Sequence, residues 1–239
     1  MNMPRCVEPE WLDELPAHDP RAIRSRRDLQ RVNAWMLQRG IMERVLVKHC
    51  RHDKPRVLLE LGAGDGSFML RLARRLAPHW QNVKVILLDR QNIVSRETRE
   101  GFSALQWKVE TVTADVFDFL EQARPRGVDI ITANLFLHHF PQERLARLLA
   151  QAAPLTRLFV ACEPRRAMTA LLGSRLLWAI GCNEVSRHDA VVSVYSGFSG
   201  RELSALWPKN GEWRTHEHAA RLFTHCFVAR RYDAQGTAT

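Results

Sequence analysis

Three glycines at 62, 64 and 66 and the carboxylates of Glu60, Asp89 and Asp115 are the residues in this sequence with the clearest chemical meaning. The segment Glu60-Leu61-Gly62-Ala63-Gly64-Asp65-Gly66 stands where an apolar run, Arg56 to Leu61, gives way to a helical pattern. Glycine lets the chain turn tightly and lets a ligand reach the main chain with no Cβ in the way. The spacing is Gly-x-Gly-x-Gly, not the Gly-x-Gly-x-x-Gly of nicotinamide sites. Glu60, two residues before the first glycine, disfavours a pyrophosphate and favours a cationic ligand. Asp89 closes a second apolar run 23 residues beyond Gly66, where a carboxylate can accept both hydroxyls of a ribose. Asp115 follows the third run and can accept from the amino group of an adenine. Asn134 ends the fourth and opens Asn134-Leu135-Phe136-Leu137-His138-His139-Phe140. One glycine loop is a weak signal; polar groups at the ends of four consecutive apolar runs are a strong one.

Elements of regular rhythm must hold these groups. Apolar runs at 56–61, 84–89, 108–113, 128–134 and 155–162 read as strands, alternating with helical stretches near 67–76, 92–101, 116–123 and 142–153. Such alternation predicts an α/β fold, a doubly wound, Rossmann-like, mostly parallel sheet with helices on both faces. Residues 1–19 are expected to form an irregular arm. Asp19-Pro20 has the form of a helix start, and Gly40 is expected to divide the helical stretch that follows. Residues 166–180 read as helix ended by Gly181, and Ser199 to Glu202 has capping-box spacing before a short helix. Segments 212–218 and 221–230 read as a terminal antiparallel hairpin. We expect a single domain over 20–232, with 20–53 a helical lid, 165–210 an acceptor-pocket segment and 233–239 a flexible tail.

Taken together, the strand-end residues resemble those of class I S-adenosylmethionine-dependent methyltransferases over about 20–231. Glu60 to Gly66 resembles the family's first motif, Asp89 its ribose-binding acid and Asp115 its adenine-side acid. Asn134 to Phe140 resembles the segment that borders the methyl donor in small-molecule methyltransferases. The resemblance implies a seven-stranded sheet with an antiparallel last strand and S-adenosylmethionine as cofactor. It assigns cofactor contacts to Glu60, Gly62, Ala63, Gly64, Gly66, Asp89, Arg90, Asp115, Val116, Asn134 and Leu135. Asn134 is not followed by the Pro-Pro-aromatic signature of base-amine methyltransferases, which turns the expectation toward a small-molecule hydroxyl of a phenolic, quinone or polyketide-like acceptor. A sulfonium methyl needs an aligned acceptor, and a base near neutral pKa helps when the acceptor is a hydroxyl. His188, beside Asp189, and the pair His138 and His139 are the candidates. Met168, Trp178, Tyr195 and Phe198 are candidates to line the acceptor pocket.

Each residue also has a structural reading: a plain turn for the glycines, helix caps for Asp89 and Asp115, local packing for His138 and His139, and a surface salt bridge for Glu163 to Arg166, which end the fifth run near the expected pocket mouth. Composition narrows the function classes. With 46% hydrophobic and 26% charged residues in 239, the chain is neither disordered nor fibrous. No apolar run is long enough for a membrane span, and the start has proline and acids where a signal peptide is apolar. Five unpaired-looking cysteines without a CxxC pair argue against a disulfide framework and a zinc site. The expectation is a cytoplasmic protein with no metal. A net charge of +9 keeps an RNA methyltransferase as an alternative, although the arginines are scattered. A non-catalytic cofactor-binding scaffold is the third reading.

Overall fold

A computed structural model describes residues 3–16, 18–51, 53–123 and 127–232. Seven strands form one sheet: β1 (Val57–Leu61), β2 (Lys84–Asp89), β3 (Lys108–Thr113), β4 (Ile130–Asn134), β5 (Leu158–Pro164), β6 (Trp213–Ala220) and β7 (Thr224–Arg231). The helices are α1 (Trp11–Glu14), α2 (Pro20–Trp35), α3 (Gln38–His49), α4 (Ser67–Leu76), α5 (Arg96–Ala104), α6 (Val116–Gln122), α7 (Gln142–Ala152), α8 (Met168–Arg175), α9 (Glu184–Ser196) and α10 (Glu202–Leu206). The strand order is β3-β2-β1-β4-β5-β7-β6. Strands β1 to β5 are parallel, and β7 runs antiparallel to both β5 and β6. The connections therefore reverse direction between β1 and β4, where ligands bind in open sheets of this kind.

The central strands are continuous apolar runs because both of their faces are covered. Leu58, Val85, Leu87, Ile130 and Val160 pack on one side with residues of α3, α4 and α5. Leu59, Leu61, Leu88, Ile131 and Phe159 pack on the other with α6, α7 and α10. Period-two alternation thus sorts neighbouring apolar residues into two cores.

Four expectations need correction. Gly40 lies inside α3; the break comes at Leu37, whose φ of 57° puts it in the left-handed region. The arm is not wholly irregular, since it carries α1 and the buried Glu10. Within 20–53, α3 is no lid: Ile41, Met42 and Leu46 are core residues, whereas Gln30 of α2 reaches the glycine loop at Asp65. Phe198 is buried in the core instead of lining a pocket. The tail 233–239 lies outside the described residues. At the capping box the Glu202 carboxylate accepts from Ser199 N–H (3.0 Å), but the Ser199 hydroxyl faces Arg166 instead of the helix. The helix read over 166–180 ends at Arg175, and Gly181 closes a separate short turn, Leu177–Ile180, in the left-handed region.

The hairpin is locked to the domain by Glu217, buried on β6. His225 Nε2 lies 2.7 Å from its Oε1, and the N–H groups of Leu203 and Ser204 donate to its two oxygens at 3.0 and 2.7 Å. Burial pushes this carboxyl up, but the hydrogen bonds from His225 and the α10 amides outweigh it and hold it below its ordinary value of 4.5. The resulting stabilisation is present above that value and is lost as pH falls through the folded one. Glu217→Ala, which strands a buried histidine, should cost about 3–5 kcal/mol, read from urea midpoints at pH 7. A loss below about 1 kcal/mol would show that Glu217 is not a structural tie.

Candidate active site

Register brings the strand ends level. Leu61 pairs with Leu88 on β2 and with Ala133 on β4, and Asp89 pairs with Thr113 on β3. The next residues along each chain, Gly62, Asp89, Asn134 and the Ala114-Asp115 pair, therefore emerge side by side at the carboxyl edge. Every candidate cofactor residue falls on this edge: Glu60 to Gly66 at the end of β1 and just beyond it, Asp89 and Arg90 at the end of β2, Asp115 and Val116 after β3, Asn134 and Leu135 at the end of β4.

All three loop glycines have positive φ, 67°, 55° and 71° for Gly62, Gly64 and Gly66. A Cβ on Gly62 would overlap the Phe136 ring, whereas one on Gly64 would meet nothing within 4 Å. Gly64 thus presents bare backbone to open space, the approach that a ligand needs. Its N–H donates to Asp89 Oδ2 (2.8 Å), and Gln91 N–H donates to Oδ1 (2.8 Å). A carboxylate has about four acceptor sites, so about two remain for ribose hydroxyls. Asp115 caps α6 by accepting from Phe117 N–H (2.8 Å), and Val116 is buried beneath it. Arg90 points to solvent.

Glu60 and Asn134 are the unfinished part of the site. Glu60 is 2% exposed, and neither its Oε2 nor Asn134 Oδ1 has a hydrogen-bond partner. Burial, with Asp65 and Asp89 nearby, pushes the Glu60 carboxyl well above its ordinary 4.5. Two buried acceptors without donors at the mouth of a glycine loop fit the cationic, hydrogen-bond-donating end of an amino acid.

The turn after β4 is held by Glu163, at the carboxyl end of β5. Its Oε1 accepts from the N–H groups of Phe136 (3.1 Å) and Leu137 (2.9 Å), and its Oε2 lies 2.8 Å from His138 Nδ1. His138 Nε2 in turn meets Glu10 Oε1 at 3.2 Å, and His139 Nε2 lies 3.4 Å from Glu10 Oε2. Burial pushes the Glu10 carboxyl up, yet the bonds to His138 and His139 outweigh it and hold it far below its ordinary value. Burial likewise disfavours a charged His139, but Glu10 reverses this and raises it to about 9. Arg5 adds a second tie, donating to the carbonyls of Ser196, Phe140 and His138 at 2.8, 3.0 and 3.2 Å. The arm is thereby fastened across the β4 turn.

His138 has both ring nitrogens engaged and 2% exposure, so it offers no nitrogen to an acceptor. His139 likewise uses Nδ1 on the Phe136 carbonyl (2.9 Å) and Nε2 on Glu10. His188 differs: its Nδ1 lies 3.0 Å from Asp189 Oδ1, and its ring stacks on Trp11 at 3.9 Å. It borders a cleft of ≈ 370 Å³ with Cys6, Glu8, Val191, Val192 and Tyr195. Asp189 also accepts from the N–H groups of Trp11 and Leu12 at 2.9 and 3.0 Å, capping α1. A larger pocket, lined by Trp207, Lys209 and Trp213, sits where β6 begins. That is the opposite end of the sheet, because Trp213 pairs with Arg231 beside the start of β5.

Several participants escape a reading of the sequence. Glu163 and Arg166 are buried, not surface partners; Arg166 is bound to Glu202, Ser199 Oγ (2.9 Å) and the carbonyl of Met3 (2.7 Å). An acid closing an apolar strand, as Glu60 does, was the available signal for Glu163. Gln30 on α2 donates to Asp65 Oδ2 (2.8 Å), and Glu10 lies 128 residues before His138; neither has a local signature.

The Glu60 proton carries a sign that can be checked. A carboxyl raised by folding holds its proton in the folded state, so the protein loses stability as pH climbs from about 4.5 toward the folded value. Glu60→Gln, which removes this penalty, should raise the melting temperature of the ligand-free protein above pH 7. An unchanged or lower melting temperature would contradict the unpartnered state of Glu60.

Comparison with known proteins agrees with this geometry. Residues 58–157 match the family described as a methyltransferase domain. An ornithine lipid N-methyltransferase of Singulisphaera acidiphila is 31% identical over 105 residues, which cover 43% of this chain and 53% of that one. The chain therefore spans about half the length of that curated relative. An O-methyltransferase family protein from Burkholderia thailandensis superposes with a TM-score of 0.61 at 17% identity, over 92% of this chain and 62% of that one. A small RNA methyltransferase superposes at 0.56 with 14% identity, over 82% of this chain and 25% of that one. Relatives of one fold act on different acceptors, so the fold does not choose among them. What the matched segment and the sheet order do show is that residues 58–157 are similar to a methyltransferase domain and that the chain has the fold of such proteins.

Proposed function

We propose that the protein transfers a methyl group from S-adenosylmethionine to a hydroxyl oxygen of an apolar small molecule. The observation that carries the acceptor class is an apolar face on the segment following β5. Met168, Leu172, Leu176 and Trp178 are 62%, 63%, 52% and 63% exposed on α8 and the turn after it. Spacing of four places the first three in one stripe, and contiguous exposed apolar surface marks a contact site. A surface for RNA would be cationic there instead.

Bound S-adenosylmethionine supplies an electrophilic sulfonium methyl. The chain's own residues bind and orient: Asp89 takes ribose hydroxyls, the backbone of Gly64 lies along the nucleoside, and Glu60 with Asn134 accepts from the amino-acid end. Phe136, packed on Gly62, shields the loop from water. His188 is the base, because Nδ1–H donates to Asp189 and leaves Nε2 to take the acceptor's proton. An amine acceptor is the second reading, supported by the name of the ornithine lipid N-methyltransferase relative.

Removing Asp89 takes away two charge-assisted hydrogen bonds. Asp89→Ala should weaken S-adenosylmethionine binding by about 2–4 kcal/mol in calorimetry. Unchanged affinity would remove Asp89 from the ribose site. His188→Ala should lower turnover about 10²–10⁴-fold on a hydroxyl acceptor with cofactor affinity intact. Normal turnover would exclude His188 as the base, and activity confined to amines in an acceptor screen would favour the second reading.

A further inference from the structure

We propose that Glu10, His138 and His139 form a binding site for one divalent transition-metal ion of the zinc class. One donor atom from each lies within 4.8 Å of the others. The nitrogen–oxygen separations, 3.2 Å for His138 Nε2 to Glu10 Oε1 and 3.4 Å for His139 Nε2 to Glu10 Oε2, run to the two oxygens of one carboxylate and are close to the spacing of neighbouring ligands around a metal. In a tetrahedral site with bonds of about 2.0–2.1 Å, neighbouring ligand atoms stand about 3.3–3.4 Å apart.

The surrounding groups complete the argument. The Phe136 carbonyl only accepts, so His139 carries hydrogen on Nδ1 and turns the Nε2 lone pair toward Glu10. Glu163 does the same for His138 Nδ1, at 2.8 Å. Histidine ligands of metals are oriented in this way, with the second nitrogen donating to a carboxylate or carbonyl. Ser193 Oγ donates to Glu10 Oε1 and fixes the third ligand. The two rings lie with centroids 4.1 Å apart, so one ion can meet both Nε2 atoms and the Glu10 carboxylate together.

Two imidazoles and a carboxylate select zinc or a neighbouring transition metal, since magnesium and calcium take oxygen ligands. Three protein ligands leave a position open for water or a ligand oxygen. Asp13 Oδ2, 3.7 Å from His139 Nε2, borders that position at the exposed rim. The ion would tie the arm to the β4 turn, across 128 residues of chain, which is why spacing along the sequence points to no such site. The proposal does not depend on methyl transfer.

The full chain, stripped with a chelator and dialysed, is titrated with Zn²⁺ by calorimetry and with Co²⁺ by visible absorption. We expect one equivalent of Zn²⁺ to bind. His139→Gln and Glu10→Gln should each weaken it by more than the roughly 10–100-fold typical of an outer-shell loss, with wild-type circular dichroism. Cys6→Ser, which removes the exposed thiol, should leave binding unchanged. Co²⁺ bound to the wild type should show visible d–d bands without a thiolate charge-transfer band, a readout that needs no variant to fold. No saturable binding, equal binding in the two ligand variants, loss in Cys6→Ser, or a thiolate band would overturn the proposal.

Discussion

The Glu163 carboxylate, fully buried where β5 ends, sets the geometry that the rest of the site depends on. A charge at that depth is costly unless hydrogen bonds surround it. Glu163 finds them in the amides of Phe136 and Leu137 and the ring of His138, all from the turn after β4. Satisfying one carboxylate therefore folds that turn into a single shape. Phe136 is set against Gly62, His138 is aimed at Glu10, and the N-terminal arm has a fixed point to close on. The arm's other ties, Arg5 to three carbonyls and Asp189 to the start of α1, extend the same clasp to α9.

Elsewhere on the edge the fold leaves its groups incomplete. Glu60 is buried without a partner for Oε2, Asn134 Oδ1 is likewise alone, and Leu135 takes a φ of 53° that costs a non-glycine residue about 1–2 kcal/mol. These three lie within two adjacent strand ends, while Glu217 and Glu163 have partners on both oxygens. Two unfilled acceptors side by side at the mouth of the glycine loop are what the proposed contact with the donor-rich end of S-adenosylmethionine would use.

How much of this was legible follows from the range of the interactions. The strands, the glycine loop and Asp89, Asp115 and Asn134 were readable because strand periodicity and strand ends are local properties, and parallel register then levels those ends by itself. The seven strands and the antiparallel last one came from the family resemblance, whereas the place of β7 between β5 and β6 was not read from the sequence. Gly40 misled because helix breaks follow backbone strain, and here Leu37 carries it. For Glu163 a surface salt bridge and a place near the pocket mouth stood as equal readings, because nothing in Glu-Pro-Arg-Arg reveals that the β4 turn will cover it. Glu10 was invisible for the same reason at longer range: its partners exist only once the arm has crossed the domain.

The most direct test of the account is calorimetric titration of the protein with S-adenosylmethionine and S-adenosylhomocysteine, with NADH as control, in buffers of differing ionisation enthalpy. Micromolar binding of both sulfur nucleosides, about −8 kcal/mol, is the result expected, with NADH silent and a proton released as Glu60 meets the ligand's ammonium. Binding of NADH, or no binding of either sulfur nucleoside, would contradict the assignment of the glycine loop and with it the function built upon it.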